Sequence, residues 1–192
     1  MRLVKTEARV ELYSPGIVVF DPEVLRSFLS GRGVNCSNVF EEFLEKEELG
    51  RAAIEQGVVC PIYQIPEDEY SVFVSDKDFE ARNLVSRRFS YSGFPLCVTS
   101  EILIVSDLYA LLDWDPIFFC DYKKNYKKKL LNNDYIEISK GRYNLTICGY
   151  VGLEFPYGPL GYGIDFRLVD VLPKVSETAS VDEKNFVLED DI

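Results

Sequence analysis

The sequence predicts a mainly β protein: one antiparallel β-sandwich with short N-terminal helices and an inserted segment. Short stretches in which apolar and polar residues alternate recur along the chain, as expected of half-buried strands. Aromatic residues are frequent (12 Tyr, 13 Phe and one Trp), and they favour strands and interfaces. The 192 residues, 47% of them hydrophobic, suffice for one domain with a core. An α+β fold is the alternative.

The N-terminal part predicts two strands followed by two helices. Residues 8–13 alternate and residues 17–20 are apolar, so both are predicted strands. The Asp-Pro-Glu run at 21–23 opens a helix, because Asp can cap, Pro fits the first helical position and Glu faces the positive end of the dipole. Residues 38–41 resemble a capping box, which predicts a second helix to about residue 56 that Gly50 can divide.

From residue 57 onward the pattern is that of strands. The clearest feature is a predicted hairpin over residues 135–148, in which Lys140-Gly141 supplies the turn. Ile164, Phe166 and Leu168 alternate in a last strand. Five further strands are predicted at residues 58–63, 70–74, 84–91, 96–99 and 101–105.

We expect a single domain over residues 1–173, with an insertion at about 107–133. In the insertion, Ser106 can cap a helix and Trp114 is predicted to anchor the segment. Five lysines with interleaved tyrosines follow at 122–129. Residues 174–192 are polar and acidic, which predicts a mobile tail.

The charge of the chain narrows the classes of function. It carries 32 Asp and Glu against 21 Lys and Arg, a formal net charge of -11, and it has no histidine. The surplus repels nucleic acid and anionic membranes and favours a basic protein partner. Histidine is the commonest general base near neutral pH, so its absence argues against an enzyme. We therefore expect no catalytic residues, no cofactor, no direct DNA binding and no membrane attachment.

Metal binding and secretion are not predicted either. Asp76, Asp78 and Glu80 alternate as in a calcium loop, but Ala81 and Arg87 stand where an EF-hand needs Gly and Glu. The five cysteines are widely spaced and odd in number, which indicates a reducing compartment. The N-terminus lacks the apolar run of a signal peptide. We therefore expect a cytoplasmic protein without a metal site.

Three stretches carry a resemblance to a known family. Residues 47–62 form an acidic helix, a glycine and an entry strand; residues 138–146 carry Lys-Gly-x-Tyr-x-Leu-Thr; and residues 162–166 form a closing strand. In this order they resemble the competence protein J family, whose members inhibit a bacterial DNA-entry nuclease. The resemblance implies a nuclease inhibitor, or a relative such as an immunity protein paired with a toxin. The segment at about 107–133 and the tail beyond Lys174 look like additions to it.

Our hypothesis is an acidic inhibitor that occludes the cationic cleft of a basic nuclease with carboxylates around an aromatic anchor. Acidic side chains on a helix and at a turn can take the place of phosphates, although such residues are more often simply a solvated helix face or a polar turn. One alternative is a module that senses a small ligand or carbohydrate between its sheets. Another is a nucleic-acid-associated factor that uses the lysine-rich segment. The predicted partner contacts are Glu41, Glu45, Glu48, Glu67, Asp68 and Glu69.

Overall fold

A computed structural model describes residues 4–126, 130–175 and 184–189. Within these ranges nine strands form two sheets, and the predicted mainly β fold is confirmed, with some α+β character. The strands are β1 (Glu7–Glu11), β2 (Gly16–Phe20), β3 (Val59–Tyr63), β4 (Glu69–Val74), β5 (Arg87–Val98), β6 (Ile102–Asp107), β7 (Asn133–Glu137), β8 (Gly141–Val151) and β9 (Leu160–Leu168). The helices are α1 (Pro22–Gly31), α2 (Val39–Glu45), α3 (Glu47–Glu55), α4 (Phe79–Asn83), α5 (Tyr109–Leu112), α6 (Pro116–Cys120) and α7 (Tyr122–Asn125).

The five-stranded sheet has the order β1-β4-β9-β8-β5, and the four-stranded sheet has the order β3-β2-β6-β7. Neighbouring strands are antiparallel except β4 and β9, which are parallel. The edges of β1 and β7 approach each other, since Glu137 N–H donates to the Lys5 carbonyl at 2.7 Å. One side of the sandwich is therefore nearly closed.

The core has two main parts, one on each side of the four-stranded sheet. Ile17 and Val19 face the five-stranded sheet, whereas Val18 and Phe20 face the helices. Strand β2 is therefore buried on both faces, which explains its unbroken apolar sequence. Helices α1, α2, α3, α5, α6 and α7 cover the outer face of this sheet. Helix α4 instead packs on the outer face of the five-stranded sheet, where Phe79 stacks on Phe73. None of the helices in the described residues has the length and apolar character that a membrane crossing requires.

The N-terminal helices follow the prediction in part. Asp21 caps α1 as expected, accepting hydrogen bonds from the N–H groups of residues 23 and 24. The predicted long helix is two helices, and the break lies at Lys46 (φ −111°, ψ 77°) instead of Gly50. Gly50 instead lies against Phe43, because a Cβ at residue 50 would stand 2.7 Å from the Phe43 carbonyl oxygen. The close approach of α2 and α3 thus depends on a glycine.

The predicted hairpin over residues 135–148 is wrong. Strand β7 pairs with β6, and β8 pairs with β5 and β9, so the two strands belong to different sheets. Ile136 on β7 and Leu145 and Ile147 on β8 are all buried in the core between the sheets. The chain around Lys140 therefore crosses from one sheet to the other, so that both apolar faces meet the same core.

Two further differences concern element boundaries. The strands predicted at 84–91 and 96–99 form the single strand β5, which is irregular between Ser92 and Phe94. Ser106 lies in β6 and does not cap a helix, and the Asp107 carboxylate instead accepts the Tyr109 N–H at 3.0 Å. Helix α4 had no counterpart in the prediction.

Two aromatic side chains from the predicted insertion and tail belong to the core. Trp114 is buried and packs against Phe20 and Phe119, with ring centroids 5.9 and 5.5 Å apart. Phe186 and Leu188 of the predicted tail are also buried, in the core between the two sheets. The polar composition of the tail did not indicate this contribution. The domain boundaries themselves stay a prediction.

Candidate functional site

The candidate site lies on the outer face of β1 and β4, which we call the β1–β4 face. Along β1, Ala8 and Val10 point into the core, so the alternate residues Glu7, Arg9 and Glu11 point outward. Glu11 pairs directly with Glu69 of β4 in the sheet register. The period of two along a strand therefore gathers carboxylates on one outward surface.

The predicted acidic turn adjoins this face. Glu67, Asp68 and Glu69 are all exposed. The turn is fixed to β1, because the Leu12 N–H donates to the Asp68 carbonyl at 2.9 Å. Asp68 also holds itself in place, since its carboxylate accepts the Glu69 N–H at 2.7 Å.

The pKa of the Tyr70 side chain reflects the charges at this end of the sandwich. Burial, together with the negative charges of Asp68 and Glu189, raises the pKa of Tyr70 to about 12. Tyr70 is buried in the core between the sheets, so its closeness to Glu189 does not place Glu189 on the outer face. The carboxylates of the β1–β4 face and its adjoining turn are Glu7, Glu11, Glu67, Asp68 and Glu69.

Arg9 is the main cation within this face. Its guanidinium stands 3.8 Å from a Glu7 oxygen and 3.7 Å from a Glu69 oxygen, beyond good hydrogen-bonding distance. The positive charge of Lys5 also favours the ionised form of Glu7, but the Lys5 ammonium is paired with Asp134 at 3.0 Å. Burial still raises the pKa of Glu7, because it outweighs the charges of Arg9 and Lys5. The surplus of negative charge on the face comes instead from number, because Glu7, Glu11 and Glu69 stand there with Arg9.

A loop between β8 and β9 places an aromatic side chain beside the carboxylates. Arg9 donates to the Pro156 carbonyl at 2.7 Å, and the Gly158 N–H donates to Ser71 Oγ at 2.8 Å. Tyr157 packs against Phe73, with ring centroids 4.5 Å apart. Phe155, in contrast, is 94% exposed. A loop fixed at its base therefore presents one aromatic ring to solvent.

Sequence reasoning missed Phe155. The residue lies between two strands in a loop that is rich in proline and glycine, and it belongs to no alternating pattern. A large aromatic residue in a loop with no predicted core position is a candidate for an exposed contact residue, and this is the sequence signal that could have identified Phe155. Its closeness to β1 could not be inferred, since the strand order was unknown.

The second predicted group of contacts lies elsewhere. Glu41 and Glu45 are on α2 and Glu48 is on α3, and all three are exposed. These helices pack on the four-stranded sheet, whereas β4 belongs to the five-stranded sheet. The structure therefore places the two acidic groups on different layers.

Within that group the break at Lys46 divides the expected helical face. The Glu41 carboxylate accepts a hydrogen bond from Asn38 Nδ2 at 2.9 Å and so belongs to the cap of α2. Glu45 and Glu48 make no hydrogen bond or ion pair with a described residue. Their neighbours Glu42 and Glu47 pair with Lys46 and Arg51.

Both tyrosines of the lysine-rich segment contact other side chains of the protein. Tyr122 is buried, and its hydroxyl donates to Asn133 Oδ1 at 2.6 Å. Tyr126 stacks on Tyr122, with ring centroids 5.1 Å apart. Lys123 pairs with Glu137 and Lys124 with Asp121. Residues 127–129 lie outside the described residues.

The acidic loop at residues 76–80 is engaged with its own chain. Arg82 pairs with Asp76 at 3.0 Å, and the Asp78 N–H donates to the same carboxylate at 2.9 Å. Across residues 4–126, 130–175 and 184–189, no three His, Cys, Asp or Glu side chains are grouped to hold a metal ion. All five cysteines are free, and burial raises the pKa of Cys60 to about 12.

The space between the sheets is occupied by side chains of the protein. Val72, Leu145 and Tyr162 of the five-stranded sheet meet Val19 and Leu103 of the four-stranded sheet there. The hypothesis of a ligand site between the sheets therefore gains no support.

These features define a two-sheet β-sandwich protein with most of its helices over one sheet and acidic side chains on the outer face of the other. No protein-family model matches the chain, and no curated protein matches its sequence. Among solved structures, the chain is similar to ComJ from Bacillus subtilis, described as the inhibitor of the DNA degrading activity of NucA. The two chains are 11% identical, the match covers 88% of this chain and 100% of ComJ, and the TM-score is 0.46. This similarity is distant, and the function proposed below depends on the surface of this chain.

Proposed function

We propose that this protein is an acidic inhibitor that binds and blocks a basic nuclease, as a competence-type nuclease inhibitor or a toxin immunity protein does. The observation that supports the proposal is the β1–β4 face, where carboxylates gather beside the exposed ring of Phe155. Nothing in this mechanism needs a catalytic group or a cofactor, because binding alone covers the target.

Charge complementarity is the first part of the mechanism. A nuclease holds DNA through Lys and Arg side chains that contact phosphates. Glu67, Asp68 and Glu69 are exposed at one end of the sandwich and can meet such side chains in place of phosphate groups. A complementary charged surface of this kind raises association rates by roughly tenfold to a thousandfold at low salt.

The second part is an apolar anchor. Binding free energy in protein interfaces is concentrated in a few residues, often aromatic, that fill a pocket surrounded by polar contacts. Phe155 has the required position, because its ring projects from a loop that Arg9 and Ser71 hold against β1 and β4. In this mechanism the carboxylates set the rate of encounter, and Phe155 slows dissociation.

A matched pair of charge-reversal variants tests both the function and the face. The first is Glu67→Lys, Asp68→Lys and Glu69→Lys combined. The second is Glu41→Lys, Glu45→Lys and Glu48→Lys combined, which changes the net charge equally on the other acidic group. Each protein is added to extract and culture medium from the producing organism, and to purified NucA as a defined target. DNA degradation is measured at low and physiological salt.

We expect the wild-type protein to reduce DNA degradation in at least one of these samples. The reversal at 67–69 should abolish the effect, and the reversal at 41, 45 and 48 should retain most of it. If instead the reversal at 41, 45 and 48 abolishes the effect and the reversal at 67–69 retains it, the contact surface lies on α2 and α3 and the proposed function still stands. No reduction by the wild-type protein in any sample at either salt concentration would contradict the proposed function.

A further inference from the structure

The C-terminal residues 184–189 lie in a groove lined by β5, β8 and β9, which we call the tail groove. Phe186 is buried against Phe89, Tyr91 and Phe94, with ring centroids 5.9, 5.6 and 6.0 Å away. Leu188 lies over Gly149, because a Cβ at residue 149 would stand 2.5 Å from Leu188 Cδ2. The groove therefore has two apolar recesses for side chains two positions apart.

Three side chains of the sandwich hold the main chain of this segment. Tyr91 donates its hydroxyl to the carbonyl of Asn185 at 3.1 Å, and Arg88 Nε donates to the carbonyl of Leu188 at 3.0 Å. The hydroxyl of Tyr162, which is fully buried, donates to the carbonyl of Phe186 at 2.9 Å. These donors bind backbone carbonyls, which every peptide carries, while the two recesses select apolar side chains.

We infer that the tail groove is a peptide-binding site that the chain fills with its own residues 184–189, and that it accepts the same segment from a second copy of the chain. A segment with Phe and Leu at alternate positions is the ligand chemistry that the groove fits. Exchange between two copies keeps every contact described above, which is the reason that such swaps cost little free energy.

A segment from a second copy must compete with the chain's own residues 184–189 for the tail groove. A segment attached to its own groove is present at an effective concentration on the order of millimolar. A peptide from outside therefore meets an occupied groove in the wild-type protein. Full-length variants whose own segment fits poorly leave the groove accessible, and Leu188→Ala and Phe186→Leu are two such changes. Val187→Ala is the matched control, because Val187 lies between the two buried side chains and is itself only half-buried.

The probe is a labelled synthetic peptide with the sequence of residues 184–192, and circular dichroism identifies the variants that are folded. We expect saturable binding to folded Leu188→Ala or Phe186→Leu, and binding about 100-fold weaker to the wild-type protein and to Val187→Ala. Adding Tyr162→Phe should weaken peptide binding to the variant. Absence of binding to both folded groove variants would overturn the proposal.

Light scattering on the full-length protein tests whether the segment of a second copy occupies the tail groove. At about 1 mM, near the effective concentration of the attached segment, we expect a dimer that excess unlabelled peptide converts to monomer. Leu188→Ala should form less dimer than Val187→Ala does. Peptide binding without any dimer of the wild-type protein would contradict exchange between copies.

Discussion

The buried carboxylate of Asp21 accepts the backbone N–H of Thr99 at 2.6 Å. It also accepts the N–H of Ser100 at 2.7 Å and caps α1 through the N–H groups of residues 23 and 24. One side chain thus joins the first helix to the turn between β5 and β6. This contact fixes the helical layer to the sandwich.

We expect Asp21→Ala to lower the free energy of unfolding by about 3 kcal/mol, because four N–H groups lose a buried acceptor. Asp115→Ala is the control, since Asp115 caps α6 through two N–H groups but is exposed. Its loss should cost about 1 kcal/mol. Urea unfolding of both variants measures the difference, and equal losses would contradict the linking role of Asp21.

Two glycines with the same backbone conformation should respond differently to substitution. Gly33 and Gly57 both have φ +66°, but a Cβ at residue 57 would stand 2.9 Å from Leu96 Cα, whereas nothing lies within 4 Å of one at residue 33. We expect Gly33→Ala to cost about 1 kcal/mol from backbone strain alone. Gly57→Ala should cost at least about 1 kcal/mol more, since α3 or β5 must shift. Thermal and urea unfolding compare the two, and similar losses would show that β5 is not packed this closely.

The buried carboxylate of Asp107 predicts a dependence of stability on pH. Burial raises the pKa of Asp107 and outweighs the hydrogen bonds from the N–H groups of Tyr109 and Tyr13, which lower it. The folded state therefore binds a proton more readily than the unfolded state, and this group contributes more stability as the pH falls from neutral through its raised folded pKa.

Asp107→Asn isolates that effect, because the amide does not titrate and the other groups are unchanged. The free energy of unfolding of the wild-type protein minus that of Asp107→Asn should increase between pH 7 and pH 4. Urea unfolding at several pH values measures it. A difference that stays constant or decreases would mean that the pKa of Asp107 is not raised.

Removing the ring of Phe155 should weaken partner binding without affecting stability. The side chain is 94% exposed, so Phe155→Ala should leave the free energy of unfolding unchanged. Loss of an aromatic anchor of about 2 kcal/mol would raise the concentration needed for half-inhibition of the target nuclease by roughly 30-fold. Leu84→Ala is the control, since Leu84 is 92% exposed on a different loop. Equal inhibition by wild type and Phe155→Ala would exclude the anchor role.

The parts of the fold that local physics decides could be predicted from the sequence. Asp21 before Pro22 specified the start of α1, and the apolar run at 17–20 specified a strand. The partner of β7 could not be predicted, because Lys140-Gly141 suits a tight turn as well as a crossing between sheets. Only the shared core of Ile136 and Leu145 decides between them.

The candidate site was predictable in composition but not in position. The exposed carboxylates at 67–69 followed from a polar turn after Pro66, as the structure has them. Their closeness to Glu11 and to the loop of Phe155 depends on the pairing of β1 with β4 and on the parallel pairing of β4 with β9. Such contacts between distant segments have no local sequence signal. The burial of Phe186 escaped prediction for the same reason.

The most direct test of the inhibitor proposal is a measurement of how fast this protein binds its target. Immobilised wild-type protein first recovers a DNA-degrading protein, and the association rate constant of the pair is then measured over a range of salt concentrations. For wild type, the rate should fall steeply as salt increases. The combined reversal at Glu67, Asp68 and Glu69 should slow association at least tenfold at low salt and remove most of the salt dependence. Equal rates and equal salt dependence for the two proteins would contradict docking through the β1–β4 face.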